Sequence, residues 1–96
     1  VPVDTEQTHY AIRAYASTGD ALRLTATRDE PHDLHATDVF AAVALLATLP
    51  AMGWLDWDDG NSEQLPIARI ELWHHEIHTV RGRVRCSTNL LETITR

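Results

Sequence analysis

Side chains along residues 9–16 alternate in character. Tyr10, Ile12, Ala14 and Ala16 fall on one side; His9, Ala11, Arg13 and Tyr15 fall on the other. A period of two predicts a strand. Ser17-Thr18-Gly19-Asp20 follows, with a glycine available for positive φ. Residues 21–28 alternate again, Leu22, Leu24 and Ala26 against Arg23, Thr25 and Thr27. Together they predict a β-hairpin. Residues 28–35 then form a charged loop containing Pro31.

The period changes at Thr37, which is placed as a helix N-cap, with Asp38 in the first turn where the helix dipole favours an anion. The helix should run over residues 38–49 and stop at Pro50. Val39, Phe40, Val43, Leu46 and Leu49 share one broad side, with Ala41, Ala44 and Thr48 opposite. That larger side is expected to lie on the sheet, leaving a smooth, weakly apolar back for a further layer.

Residues 52–64 read as a loop holding two Trp and a run of acids. From Pro66 two periods compete. Ile67, Ile70, His74 and Ile77 fit a helix; Ile70, Leu72 and His74 alternating with Arg69, Glu71, Trp73 and His75 fit a strand. The strand is preferred because residues 80–86 alternate cleanly, Arg81, Arg83 and Arg85 against Gly82, Val84 and Cys86. Ser87 or Thr88 then caps a short last helix carrying Leu90, Leu91 and Ile94. The expected class is α+β, in the order ββαββ. One main helix would cover one face of an antiparallel four-stranded sheet, and a helical turn would close the chain. Residues 1–96 form one domain on this reading, with residues 1–8 as a flexible lead.

Composition agrees with a globular domain: 44% of residues are hydrophobic and 23% charged. One cysteine, Cys86, excludes an intramolecular disulfide framework and fits a reducing, cytoplasmic setting. Cys86 shares the Val84 side of its strand and is expected to be a small buried apolar residue. No basic-led apolar segment marks a signal peptide. The apolar run 39–55 is shorter than the roughly 20 residues a spanning helix needs, and Pro50 and Gly53 interrupt it. It is expected to be a buried helix and its exit, so no membrane partner is foreseen.

The net charge is −6, and every basic residue is Arg. Residues 1–63 hold eleven acids and three Arg; residues 64–96 hold three acids and five Arg. An acidic majority excludes wrapping nucleic acid over the whole surface but permits a local basic face. There is no Gly-rich phosphate loop, G-x-S-x-G or C-x-x-C, and no cofactor is expected.

Four constellations remain. Trp54, Asp56, Trp57, Asp58, Asp59 and Glu63 pair aromatic anchors with carboxylates, which suits a protein partner with a basic rim and an apolar pocket. The same loop has oxygen ligands for calcium, but its glycine and its twelfth position miss the EF-hand register. The second is an uncovered sheet face carrying Arg13, Tyr15, Arg23, Arg69, Glu71, Trp73, Arg81, Arg83 and Arg85. Such a face would suit single-stranded nucleic acid, or it is internal ion pairing and stacking. The third is metal binding by His74, His75 and His78, with His32 and His35 as further ligands. On a helix His74 and His78 share a face; on a strand Glu76 joins them.

The fourth is a resemblance. His74-His75 followed after thirteen residues by Asn89-Leu90-Leu91 is similar in spacing to HNH nucleases. In that family a His pair at a strand end and a later Asn position the base and the metal, which would make His75 the base. The likeness covers the last quarter of the chain. It lacks the family's Gly-rich, Pro-containing loop, and the family's further His has no counterpart up to Arg96.

The leading expectation is a small, acidic, non-enzymatic protein-interaction module. It would be an inhibitor or immunity-type binder, of the kind phages and mobile elements carry, or a small subunit of a larger assembly. Its partner would be a protein or protein–nucleic-acid complex with a basic surface, or a second copy. Single-stranded nucleic-acid binding and a His-dependent metallohydrolase are the alternatives.

Overall fold

The computed structural model describes residues 5–28 and 33–96, with the side chains of residues 5–7 left aside. Strands account for 58% of the chain and helix for 11%, so the α+β expectation gives way to a mostly-β, curled antiparallel architecture.

The chain runs β1 (Thr5–Tyr15), β2 (Ala21–Leu22), β3 (Leu34–Ala36), α1 (Val39–Ala47), β4 (Met52–Asp56), β5 (Ser62–Pro66), β6 (Arg69–Val80) and β7 (Arg83–Thr95). The main sheet is centred on β1. One edge of β1 pairs antiparallel with β6 from Thr5↔Thr79 to Tyr15↔Arg69. Its other edge is shared: β3 takes Tyr10 to Ile12 and β2 takes Ala14 and Tyr15. β7 pairs with β6 and closes the order β2-β1-β6-β7. β4 and β5 form a separate hairpin, tied to the sheet where Arg23 and Trp54 exchange main-chain hydrogen bonds of 2.8 and 2.9 Å.

Three local expectations are corrected by competition for partners. The residue 9–28 hairpin survives only as the two-residue β2, because β3 occupies the stretch of β1, Tyr10 to Ile12, that residues 24–26 would need. The residue 52–64 loop is a hairpin. The helix foreseen after Ser87 is strand, because β7 has a long partner in β6 and its β-branched Thr88, Thr93, Ile94 and Thr95 suit a pleated surface. A bulge hides its period: Leu72 pairs Glu92 while Trp73 pairs Leu90, leaving Leu91 extra.

The core lies on the sheet face carrying Ile12, Ala14 and Ile70, with Leu22 and Ile67 completing it. α1 covers it with buried Ala42 and half-buried Leu45 and Leu46, a spacing of i, i+3, i+4, and Leu49 just past the Thr48 cap continues the same side. Val39, Phe40 and Val43, expected to face the sheet, point to solvent. No polar residue lies between Val39 and Ala47, so the helical pattern has no hydrophilic face to set its rotation. The N-cap is Asp38, not Thr37; its Oδ1 accepts from the Ala41 N–H at 2.8 Å.

Candidate functional site

The acidic segment closes the β4–β5 hairpin. Gly60 at φ 91° supplies the left-handed residue of the turn, and the Trp57 N–H donates to Asn61 at 2.8 Å. Asp59 accepts from the Asn61 N–H and Nδ2 at 2.9 and 3.0 Å, which holds its carboxyl below the usual range. Arg28 Nη2 donates to the Trp57 carbonyl at 2.6 Å.

The six residues expected to contact a partner divide in two. Trp57, Asp58, Asp59 and Glu63 are exposed. Trp54 and Asp56 are turned to structural work. Arg23, 2% exposed, grips Asp56 through Nε–Oδ2 at 2.9 Å and Nη2–Oδ1 at 3.0 Å and lies over the Trp54 ring at 5.7 Å. Arg23 also donates to the Thr25 carbonyl, and Ser62 donates to Asp56 at 2.6 Å. Arg23, then Ser62, hold the Asp56 carboxyl far below its ordinary range.

The Arg and aromatic face is assembled only in part. Arg13, Tyr15, Arg69, Glu71 and Trp73 share one side of β1 and β6. They engage one another. Arg69 lies 4.4 Å from the Tyr15 ring and 3.7 Å from Glu71; Arg13 lies 5.3 Å from the Trp73 ring and 2.9 Å from Asp33; Trp73 Nε1 donates to Glu71 at 3.1 Å. The Asp33 hydrogen bond raises the Arg13 pKa, and burial, then the Glu71 hydrogen bond, raises that of Tyr15.

Arg83 and Arg85 pair with Val80 and His78, which places them on the opposite side from Trp73, and Arg81 is in the turn at φ 52°. The expected single Arg face is therefore split, because residues in antiparallel register share a side only with their partners. Arg23 has left that face for the ion pair with Asp56. An open hollow of about 660 Å³ at the hairpin tip is bordered by Val80, Arg81, Arg83 and Arg85.

Strand geometry also divides the histidines. His74, Glu76 and His78 share the core side, where His78 Nε2 lies 3.2 Å and His74 Nδ1 3.6 Å from Glu76. The His78 hydrogen bond holds the Glu76 carboxyl below its usual range. His75 is on the other side, stacked on His9 with ring centroids 4.8 Å apart and planes 7° apart. His35 stands 5.5 Å from His9, and Thr88 Oγ1 lies 3.1 Å from His75 Nδ1. Burial, then the neighbouring His9, Arg13 and His35, pushes the His75 pKa down.

Among the described residues no three His, Cys, Asp or Glu converge to hold a metal; His32 lies outside those residues. His74 faces Asn89 directly across β6–β7, on a strand pair and not on the strand and helix that the HNH spacing implied.

Pattern reading missed the surface features. Phe40 is 83% exposed, and Val43, Val84 and Leu91 also exceed half exposure. Cys86, expected to be buried, is exposed on β7. β7 is the outermost strand, so an alternating pattern there marks two solvent faces. His9, unassigned from its position alone, meets His75 because β1 and β6 align those two residues.

No described helix is long and apolar enough to cross a membrane. The fold and its surfaces define a mostly-β antiparallel domain with one short helix. The chain matches no family model, no curated protein and no solved structure.

Proposed function

We propose that this chain is a non-enzymatic protein-interaction module that works as a small subunit or binder of a larger partner. Its support is the placement of large apolar side chains. Among the described residues nine are exposed, Phe40 most of all, while only Ile12 and Leu22 are both large and fully buried. Single exposed apolar residues are ordinary, but Val39, Phe40 and Val43 form a continuous stripe on α1, and such patches mark contact sites.

Exposed Trp57 beside Asp58, Asp59 and Glu63 supplies a second contact, suited to a partner with a basic rim. The nucleic-acid reading ranks below this one, since Arg13 and Arg69 are engaged with Asp33, Glu71, Trp73 and Tyr15.

Affinity capture from the native cell tests the proposal. The wild-type chain should retain a basic partner. Joint alanine substitution of Trp57, Asp58 and Asp59 should release it while the fold persists. Unchanged capture by that variant would sink the acidic contact.

A further inference from the structure

β7 offers an unprotected edge. Among the described residues no strand pairs its outer side, and residues 83–93 are all exposed. Edge strands are commonly blunted by charge or Pro. Residues 84–91 contain no Pro and a single charge, Arg85. Protection comes only at the ends, from Arg83 on one side and the bulge at Leu91 followed by Glu92 on the other.

The turn fixes which backbone groups point outward. Arg81 and Gly82 have φ of 52° and 76°, so the β6–β7 connection is a two-residue turn with Val80 and Arg83 as its flanking pair. That pair bonds inward. Alternation then turns the N–H and C=O groups of Val84, Cys86, Thr88 and Leu90 outward.

We infer that a second copy of this chain pairs antiparallel along β7, with Ser87 on the two-fold axis. This register opposes Val84 with Leu90 of the second copy and Cys86 with its Thr88, each twice. It satisfies all four outward residues with about eight inter-chain hydrogen bonds. Val84 and Leu90, 64% and 45% exposed, cover one another.

Charge selects the direction. Within β7, Arg83 and Arg85 are at one end and Glu92 at the other, where Arg96 follows the strand and donates to the Pro50 carbonyl at 2.9 Å. Antiparallel pairing brings the Arg81–Arg83 turn of one copy beside Glu92 of its mate and opposes Arg85 with Asn89. Parallel pairing would set Arg83 and Arg85 against themselves. The product is one sheet continuous through both chains.

Sedimentation velocity and oxidative cross-linking test it. At about 100 μM, a working range for modest interfaces, the wild-type chain should sediment at twice the single-chain mass. With Cys86→Ser, Ser87→Cys should oxidise to a disulfide-linked dimer, because opposed residues of a non-hydrogen-bonded pair stand about 4.5 Å apart. Thr88→Pro removes an outward N–H and no main-chain bond to β6, and Thr88→Val serves as the control for the lost Oγ1–His75 contact, so the proline variant alone should weaken the dimer at least tenfold with the circular dichroism unchanged. Val84→Lys should do the same if the proline variant misfolds. A single-chain mass at that concentration overturns the inference. So does a dimer insensitive to Val84→Lys that fails to cross-link through position 87, which would place the contact elsewhere, as on the Phe40 stripe.

Discussion

Arg23 and Asp56 form a two-pronged ion pair, 2.9 Å at Nε–Oδ2 and 3.0 Å at Nη2–Oδ1, joining the end of β2 to the end of β4. Arg23 is 2% exposed and also donates to the Thr25 carbonyl. A guanidinium buried this deeply is tolerable only while its partner is ionised.

Replacing Arg23 by Ala should therefore destabilise the chain by about 3 kcal/mol, the range for breaking a buried pair. Urea unfolding followed by Trp fluorescence measures it.

Asp56 makes the same pair sensitive to acid. Its carboxyl is held below the ordinary value of 3.8, so its contribution is complete above that value and is lost as pH falls toward the folded pKa. Wild type should exceed Asp56→Asn in stability at pH 7, and the gap should shrink by pH 3. A gap independent of pH would contradict the pairing.

Gly53 is required by close approach to β2. A Cβ there would stand 2.7 Å from Leu22 Cβ, and both residues are buried. Gly53→Ala should cost about 1–3 kcal/mol by overpacking. A melting temperature within a degree of wild type would show that the two strands separate easily.

His75 predicts a dependence near neutrality. The groups facing it are His9, His35, Arg13, Asp33 and Thr88, and burial and the cations keep it neutral below its ordinary 6.5. The unfolded chain takes up the proton first. Stability should thus fall as pH drops below about 6.5 and level off once the folded imidazole also titrates. His75→Gln should flatten that slope; nuclear magnetic resonance titration of the ring locates the folded pKa directly.

Phe40 separates stability from binding. At 83% exposure, Phe40→Glu should alter stability by less than about 0.5 kcal/mol while raising solubility and weakening partner capture. A loss of several kcal/mol would mean that α1 is seated differently on the sheet.

Two strands were legible where one physical signal dominated, although the fold class was not. The alternation around Ile12 and from Ile70 to His75 marked β1 and β6 correctly, because each strand has one face on the core. Arg13, Tyr15, Arg69, Glu71 and Trp73, five of the nine residues expected on one face, do share a side for the same reason.

The rest was decided by partners distant in the chain. Residues 24–28 alternate as a strand should, yet β3 holds the edge that residues 24–26 would need first. Residues 87–95 carry helical spacing and a cap-like Ser and Thr, yet β6 offers main-chain pairing along its length. Arg83 and Arg85 shared a face in the sequence, but only the β6 register shows which one. The sequence alone determined that the segments around Ile12 and Ile70 are strands with one apolar face, and where the charge lies. The tertiary structure alone decided which strand edges were filled, how α1 was rotated and that no described strand pairs the outer side of β7, because these depend on competition between segments far apart in the chain.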